Sequence, residues 1–316
     1  MDNFLDKIFF RSRNLDYISQ NLINLTTQTP AKRIFEALNT YSESSEVRYV
    51  GGCVRKVIKK ETIDDIDLAT NLVPSEVCDA LKKQNINFYE TGIQHGTITA
   101  IIDDHKYEIT SLRKDVSTDG RHAKVEFSSD WKEDAARRDF SINAIYSDKD
   151  GNLFDPYNGK KDLESGNINF IGDSENRIKE DYLRILRYVR FFINYSNQSH
   201  DLNIIKKIKK NIGGVSKLSS ERLLDEFKKL TRSNAFLKIF NDKISLELIE
   251  IIFPQLKNLE NFKKLNSHAI DNLAKVDFIF LLSLLIVDGS DNTDYFLYKF
   301  NISKKDQKRL KSIDFF

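Results

Sequence analysis

Hydrophobic and polar positions follow two regimes along the chain, and the change between them falls at about residues 150–175. Before it, apolar residues come in short runs rich in β-branched and aromatic types: "EVRYV" at 46–50, "TIDDIDLAT" at 62–70, "INFYE" at 86–90, "GTITAIID" at 96–103 and "HKYEITSL" at 105–112. Such runs, separated by turn residues, predict the strands of one compact sheet. Gly51 and Gly52 end the first run ahead of a helix expected at about 53–60, and another helix is expected at about 31–41 after "TTQTP". From about 176 the apolar residues of "RIKEDYLRILRYVRFF" recur at three and four spacing and glycine becomes sparse, so the remainder reads as helical. The expected fold class is α+β: a mixed-sheet head followed by an all-helical neck and body. The corresponding divisions are 1–28 as an N-terminal extension, 29–172 as the head, 173–235 as the neck and 236–316 as the body with a short tail.

Composition narrows the class without choosing a chemistry. A chain of 316 residues, 40% hydrophobic and 30% charged, has length for about two domains that each bury a core. Disorder throughout is excluded. The net charge is only +2, so any nucleic-acid reading has to rest on local clusters. Cys53 and Cys78 show no metal-ligand spacing and fit free thiols in a reducing, cytoplasmic setting. The longest apolar run, "FIFLLSLLIV" at 278–287, falls well short of the ~20 residues of a membrane span and predicts a buried helix. No export signal, internal repeat or low-complexity tract stands out, and no membrane or obligate protein partner is implied.

The densest chemistry lies in "GGCVRKVIKKETIDDIDLAT" at 51–70. Asp65 and Asp67, two apart on an expected strand, would point to one face roughly 6–7 Å apart at Cα, with Asp64 on the other. Paired carboxylates suit Mg2+, which takes one or two carboxylates together with substrate phosphates. By itself a D-x-D is as readily a solvated strand end. Its neighbours alter that balance: a glycine pair lets backbone N–H groups approach an anion, the following helix adds its positive end, and Arg55 adds a permanent charge. Phosphate and metal then lie side by side, as nucleotidyl transfer or a related phosphoryl reaction requires. "ARRDFSINAI" adds Arg137, Arg138 and Asp139, which also read as helix-start charge. In "EDYLRILRYVRF" at 180–191, Asp181, Arg184, Arg187 and Arg190 recur every three residues and would form one polar ridge of a helix, or a salt-bridged face.

Together these motifs resemble the class II tRNA nucleotidyltransferase and poly(A) polymerase family of the polymerase β superfamily. "GGCVR…DDIDLAT" resembles its first motif, "RRDFSINA" the second and "LFDPYNGKKDL", with Asp155 as its acid, the third. "EDYLRILRYVRF" resembles the fourth motif and "SSERLLDEF" at 219–227 the fifth. The resemblance implies a nucleotidyltransferase head in which Asp65 and Asp67 hold Mg2+, Gly51, Gly52 and Arg55 meet the triphosphate, and Arg138 and Asp139 meet phosphate and ribose. It also implies that the fourth-motif helix, with Asp181, Arg184, Arg187 and Arg190, binds the nucleotide and selects its base. The implied reaction is addition of C, C and A from CTP and ATP to a tRNA 3′ end. A long segment at 113–130 between the first two motifs is similar to that of CCA-adding members, whereas CC-adding members have it shortened. Poly(A) polymerase and a CC-adding enzyme are the alternatives within the family, and an inactive RNA-binding protein is the alternative of another class. Lys56 stands where the family usually has Asp, and Lys60 where a glycine commonly ends the helix.

Some residues remain outside the motifs. Glu108 is a candidate third acid near the metals or an exposed strand position. His200–Asp201 lacks the further ligands of a metal hydrolase and reads as a loop, and Cys53 reads as small packing. Lys206, Lys207, Lys209 and Lys210 make the helical half locally basic, either as a solvated face or where an RNA acceptor stem could lie.

Overall fold

The computed structural model describes residues 16–119, 122–233, 235–273 and 275–314. Residues 1–15 of the expected N-terminal extension lie outside that range. The chain divides into two compact units, 1–117 with 123–161 and 118–122 with 162–316.

The first unit opens with helices α1 (Tyr17–Thr27) and α2 (Ala31–Asn39), followed by strand β1 (Val47–Val50), helix α3 (Gly52–Lys59), strand β2 (Ile66–Thr70) and helix α4 (Pro74–Lys83). Strands β3 (Asn87–Gly92), β4 (Thr97–Ile102) and β5 (His105–Ser111) come next, and β6 (Arg113–Asp119) and β7 (His122–Phe127) form a separate two-stranded sheet. Helix α5 (Trp131–Ala136), strands β8 (Tyr146–Ser147) and β9 (Leu153–Phe154) and helix α6 (Gly159–Ser165) close the sequence of elements. The main sheet is mixed, in the order β3-β4-β5-β2-β1-β8-β9, with β2 parallel to β5 and the other pairs antiparallel. One face carries the core: Val47, Tyr49, Leu68, Ile98, Tyr107 and Ile109 pack with Leu22, Phe35, Leu38, Val54, Val77 and Leu81 of the helices. Polar and charged residues alternate with these, so β5 buries Tyr107 and Ile109 and leaves Glu108 on the opposite face.

The strand expected at 62–70 is shorter than its composition implied. Only Ile66–Thr70 is extended and paired, because β1 reaches no further than Leu68 and β5 begins its register at Ile66. With no ladder partner on either side, residues 61–65 remain irregular, and Asp65 precedes the strand.

The second unit is helical in its described part, from α7 (Ser174–Glu180) and α8 (Leu183–Tyr195) through α9 (Leu202–Asn211) and α10 (Ser220–Thr231). It continues with α11 (Lys243–Ile252), α12 (Ser267–Leu273), α13 (Phe278–Ile286), α14 (Asn292–Phe300) and α15 (Lys304–Asp314). Polar caps explain many of the starts: Asp173, Asp201, Ser219, Asp242 and Asp277 each accept a bond from a backbone N–H of the first turn. Asp201 of the His-Asp dipeptide is one of these caps. His200 is buried against the Phe192 ring, centroids 3.5 Å apart, and bonds to Tyr188 and Asp242. The apolar run at 278–287 becomes the buried helix α13, and no helix among the described residues is long and apolar enough to cross a membrane.

Candidate active site

The turn from β1 into α3 organises the head. Gly51 has φ 67° and ψ −112°, a backbone region open to glycine and costly to other residues. Its N–H donates to the Ile145 carbonyl at 3.2 Å, which ties the turn to the segment following the second motif. A Cβ built on Gly51 would lie 3.7 Å from an Arg138 guanidinium nitrogen, and one on Gly52 would lie 3.8 Å from Asp67 Oδ2. The glycine turn, an acid of the first motif and an arginine of the second therefore meet at one place.

Three carboxylates stand there. Asp67 and Glu108 are register partners in the parallel β2–β5 pair, so they share a sheet face on strands about 4.8 Å apart. Asp65 approaches from the irregular segment before β2, which corrects the expectation that one strand would present both aspartates. None of the three carboxylates makes a hydrogen bond or ion pair with a described residue. Burial pushes the Asp67 carboxyl above its usual range, and the charges of Glu108 and Asp65 add to this while Arg138 and Arg55 oppose it. Hard oxygen donors that repel one another and lack protein donors fit a divalent cation. Among the described residues no three His, Cys, Asp or Glu side chains form a metal cage by themselves, so Asp65, Asp67 and Glu108 are neighbours without being a complete set of ligands.

The second motif is wired more tightly than its spacing revealed. Asp134 of α5 is fully buried and accepts from both arginines: Arg137 Nε and NH2 reach Oδ1 at 2.8 and 2.6 Å, and Arg138 Nε and NH2 reach Oδ2 at 3.2 and 3.0 Å. The Tyr146 hydroxyl donates to Asp134 Oδ2 at 2.7 Å and accepts from Arg138 Nε at 2.9 Å. Burial alone would raise the Asp134 carboxyl, yet Arg138, Arg137 and Tyr146 together bring it down to about 2. Asp139 is also buried, and its Oδ1 accepts from the Phe140 N–H and from Asn143 Nδ2. Arg55 is buried rather than open to the turn, and its guanidinium donates to Asn143 Oδ1.

Other motif residues have local duties. Asp155 accepts from the N–H groups of Gly159 and Lys160 at 2.7 and 2.9 Å, so the third motif's acid caps α6. Lys56 pairs with Asp64 at 2.5 Å, clamping α3 to the segment before β2. Lys60 holds the left-handed position that ends α3, φ 58°, where glycine would be unstrained.

In the second unit, Asp181 is not part of the arginine ridge. It lies extended between α7 and α8, with φ −152°, because its Oδ1 accepts the Leu183 N–H and starts the next helix. Arg184, Arg187 and Arg190 do share α8. Each of these residues has an anchor that sequence reasoning missed. Arg222 NH2 donates to Asp181 Oδ2 at 2.7 Å, and Arg184 NH1 donates to Glu180 Oε2 at 2.7 Å and to the Arg177 carbonyl at 2.8 Å. Glu226, 2% exposed, accepts from Arg190 Nε and lies 3.8 Å from Arg187. Arg222 and Glu226 belong to the fifth-motif segment at 219–227, and the sequence reading gave neither of them a role. Three of the four lysines at 206–210 are paired on the surface, Lys207 with Asp173, Lys209 with Glu247 and Lys210 with Glu175. That pairing lowers the free charge of the basic face expected there.

Comparison with known proteins agrees with this arrangement. Residues 47–169 match the family model described as the poly A polymerase head domain, and 201–260 match that of the probable RNA and SrmB-binding site of polymerase A. The chain is 38% identical over 249 residues to the human CCA tRNA nucleotidyltransferase 1, mitochondrial, covering 78% of this chain and 57% of that one. It is 36% identical over 226 residues to the CCA-adding enzyme of Lactobacillus johnsonii, covering 70% and 56%. It thus spans a little over half the length of these relatives. The crystal structure of the Bacillus stearothermophilus CCA-adding enzyme in complex with CTP superposes with a TM-score of 0.71 at 25% identity, over 90% of this chain and 68% of that one. A tRNA nucleotidyltransferase complexed with a primer tRNA and an incoming ATP analog shares the fold, with a TM-score of 0.68 at 21% identity over 93% and 83% of the two chains.

Proposed function

The chain belongs to the class II tRNA nucleotidyltransferase and poly(A) polymerase family, and from that premise we propose that it adds C, C and A to the 3′ end of tRNA, using CTP and ATP and releasing pyrophosphate. The observation that carries the proposal is the meeting of the Gly51–Gly52 turn, Asp67 and Arg138 at one end of the central strands β1 and β2. In this reading residues 29–172 act as the catalytic head, 173–235 as the neck that selects the base, and 236–316 as the body.

The Gly52 backbone N–H at the start of α3 and the Arg138 guanidinium receive the triphosphate. Asp65 and Asp67 hold Mg2+, with Glu108 adding negative charge beside them. Held there, such an ion would supply positive charge for the triphosphate and for the attacking hydroxyl. The reaction joins the tRNA 3′ oxygen to the α-phosphorus and breaks the bond from that phosphorus to the α–β bridging oxygen, so pyrophosphate leaves.

Base choice needs no nucleic-acid template. Cytosine and adenine each present an amine donor beside a ring-nitrogen acceptor, so Asp181 accepts from the amine and Arg184 donates to the ring nitrogen. The anchors leave both able to do this: a carboxylate has lone pairs beyond those given to Leu183 and Arg222, and Arg184 uses only NH1 for Glu180 and Arg177. Uracil and guanine would set a carbonyl against Asp181 and a ring N–H against Arg184. Leaving those charged groups unpaired costs on the order of several kcal/mol. Arg187 and Arg190, held by Glu226, keep the same helix charged and in register.

The test is to incubate the protein with tRNA lacking its 3′ end and each labelled nucleotide. Three additions drawn from CTP and ATP support the proposal; two cytidines point to CC addition, an adenosine ladder to poly(A) synthesis, and no product to a binding module. Asp67→Ala should abolish incorporation and leave tRNA binding largely intact, and extension at the wild-type rate would remove the metal assignment.

A further inference from the structure

Arg138 approaches the glycine turn with one end of its guanidinium, while its other edge is bound deep in the head. Nε and NH2 are held by Asp134 Oδ2 and the Tyr146 hydroxyl, and NH1 lies 3.4 Å from the Asn143 carbonyl and beside Gly51. We propose that Asp134, with Tyr146, is the positioning residue that aims Arg138 at the triphosphate, so that alignment of the nucleotide for attack depends on a side chain that never touches it.

Three observations support this. First, the carboxylate is fully buried, so it cannot serve substrate directly, and its hydrogen bonds to side chains go to the two arginines and to Tyr146. Second, Asp134 lies three and four residues before Arg137 and Arg138, so α5 itself brings one carboxylate under both cations, and Asp130 fixes the start of that helix by accepting the Lys132 N–H. Third, Tyr146 reaches the pair from β8, whose neighbour β1 carries the glycine turn. Aim is therefore transmitted from the sheet through Tyr146 and Asp134 to Arg138, and the turn and the cation share one frame. A fork held along one edge loses little conformational freedom when its other end takes a phosphate oxygen.

The inference rests on the proposed triphosphate chemistry, and the experiment separates the two. Trp131 is the chain's only tryptophan, and its ring meets the Tyr146 ring edge-on with centroids 5.5 Å apart, so its fluorescence reports on this network. CTP and ATP are titrated against wild type, Asp134→Asn, Asp134→Glu, Tyr146→Phe, Arg138→Lys and the Asp134→Asn/Arg138→Lys double variant, and incorporation kinetics are measured in parallel. Asp134→Asn should lower kcat/KM about tenfold or more, equally for CTP and ATP, as loss of a charged hydrogen-bond partner implies. Tyr146→Phe should lower it several-fold, Asp134→Glu should recover part of the loss, and tRNA affinity should stay at the wild-type value. In the Arg138→Lys background Asp134→Asn should add little, because both act through one guanidinium. Losses that multiply would mark Asp134 as a structural residue alone and overturn the inference. If Asp134→Asn does not fold, Tyr146→Phe decides, since it keeps the ion pair, and an unchanged kcat/KM there overturns it too. Wild type that binds neither nucleotide removes the proposed function and this inference with it; wild type and variants that bind and react alike remove only this inference.

Discussion

Removing Glu226 should loosen α8, the helix that carries Arg184, the arginine proposed to select the base. Glu226 on α10 is 2% exposed, and its carboxylate faces Arg190, through a hydrogen bond to Nε, and Arg187 at 3.8 Å. Breaking a buried ion pair by deleting one partner costs about 3–5 kcal/mol, mostly because the other charge stays behind. The two contacts are unequal. Arg190 is 13% exposed and directly bonded, whereas Arg187 is 27% exposed and beyond hydrogen-bond distance, so both guanidiniums can turn partly toward water. That places the cost of Glu226→Ala at or just below the bottom of this range, about 2–3 kcal/mol. At about 2–4 °C per kcal/mol for a unit of this size, Tm should fall by roughly 4–12 °C. Glu226→Gln keeps an acceptor for Arg190 and should lose less. Thermal unfolding followed by circular dichroism measures the loss of stability, and misincorporation of UTP or GTP relative to CTP and ATP, which should rise, measures the loosening of Arg184 in the first turn of the same helix. A Glu226→Ala protein with the wild-type Tm and wild-type nucleotide preference would refute the view that this carboxylate holds α8 in place.

Two further outcomes follow from the head. Asp67 titrates above its unfolded value of 3.8, so forming its charge works against the folded state: the cost is absent below about pH 4 and fully present once pH passes the folded value. Asp67→Asn should accordingly melt higher than wild type at neutral pH, with the gap closing in acid, while losing incorporation; a lower Tm at neutral pH would contradict the open-carboxylate picture. Gly159→Ala would place a Cβ 2.1 Å from the Ser141 carbonyl oxygen, a backbone atom that cannot swing aside, whereas a Cβ at Gly213 meets nothing within 4 Å. Overpacking of that kind costs about 1–3 kcal/mol. Because Ser141 adjoins the segment that carries Asn143, activity should fall more in Gly159→Ala than in Gly213→Ala, and equal melting and activity in the two would remove the argument.

How far the site could be read from sequence depended on whether a relation was local. The runs at 46–50, 86–90, 96–103 and 105–112 became strands because their composition suits a half-buried pleat, and the glycine pair became the turn into α3. Element ends were less legible: Asp65 fell outside β2 because the ladders to β1 and β5 begin only at Leu68 and Ile66, pairings that no window around Asp65 contains. Glu108 gains its place beside Asp67 only through a parallel pairing about forty residues away in sequence, a relation that periodicity does not encode. Asp181 could be placed on a helix by spacing, yet its own carboxylate caps the next one and so breaks the ridge.

Spacing also gave no account of which charges the protein neutralises for itself. Arg138 stands on Asp134, Arg184 on Glu180, and Arg187 and Arg190 on Glu226, whereas Asp65, Asp67 and Glu108 have no ion pair with a described residue. A guanidinium already held by a carboxylate keeps its aim, and its N–H groups can donate to phosphate oxygens. A carboxylate left unbalanced raises the free energy of the empty site and favours whatever brings positive charge. A triphosphate arriving alone therefore meets three open acids and is repelled, while one arriving with a divalent ion relieves them. The head should accordingly bind CTP and ATP far more tightly with Mg2+ than without it. Asp67→Asn, by removing one of those acids, should narrow that difference in a titration read from Trp131 fluorescence, and a metal-free affinity equal to the metal-loaded one would show that the arginines alone set nucleotide binding.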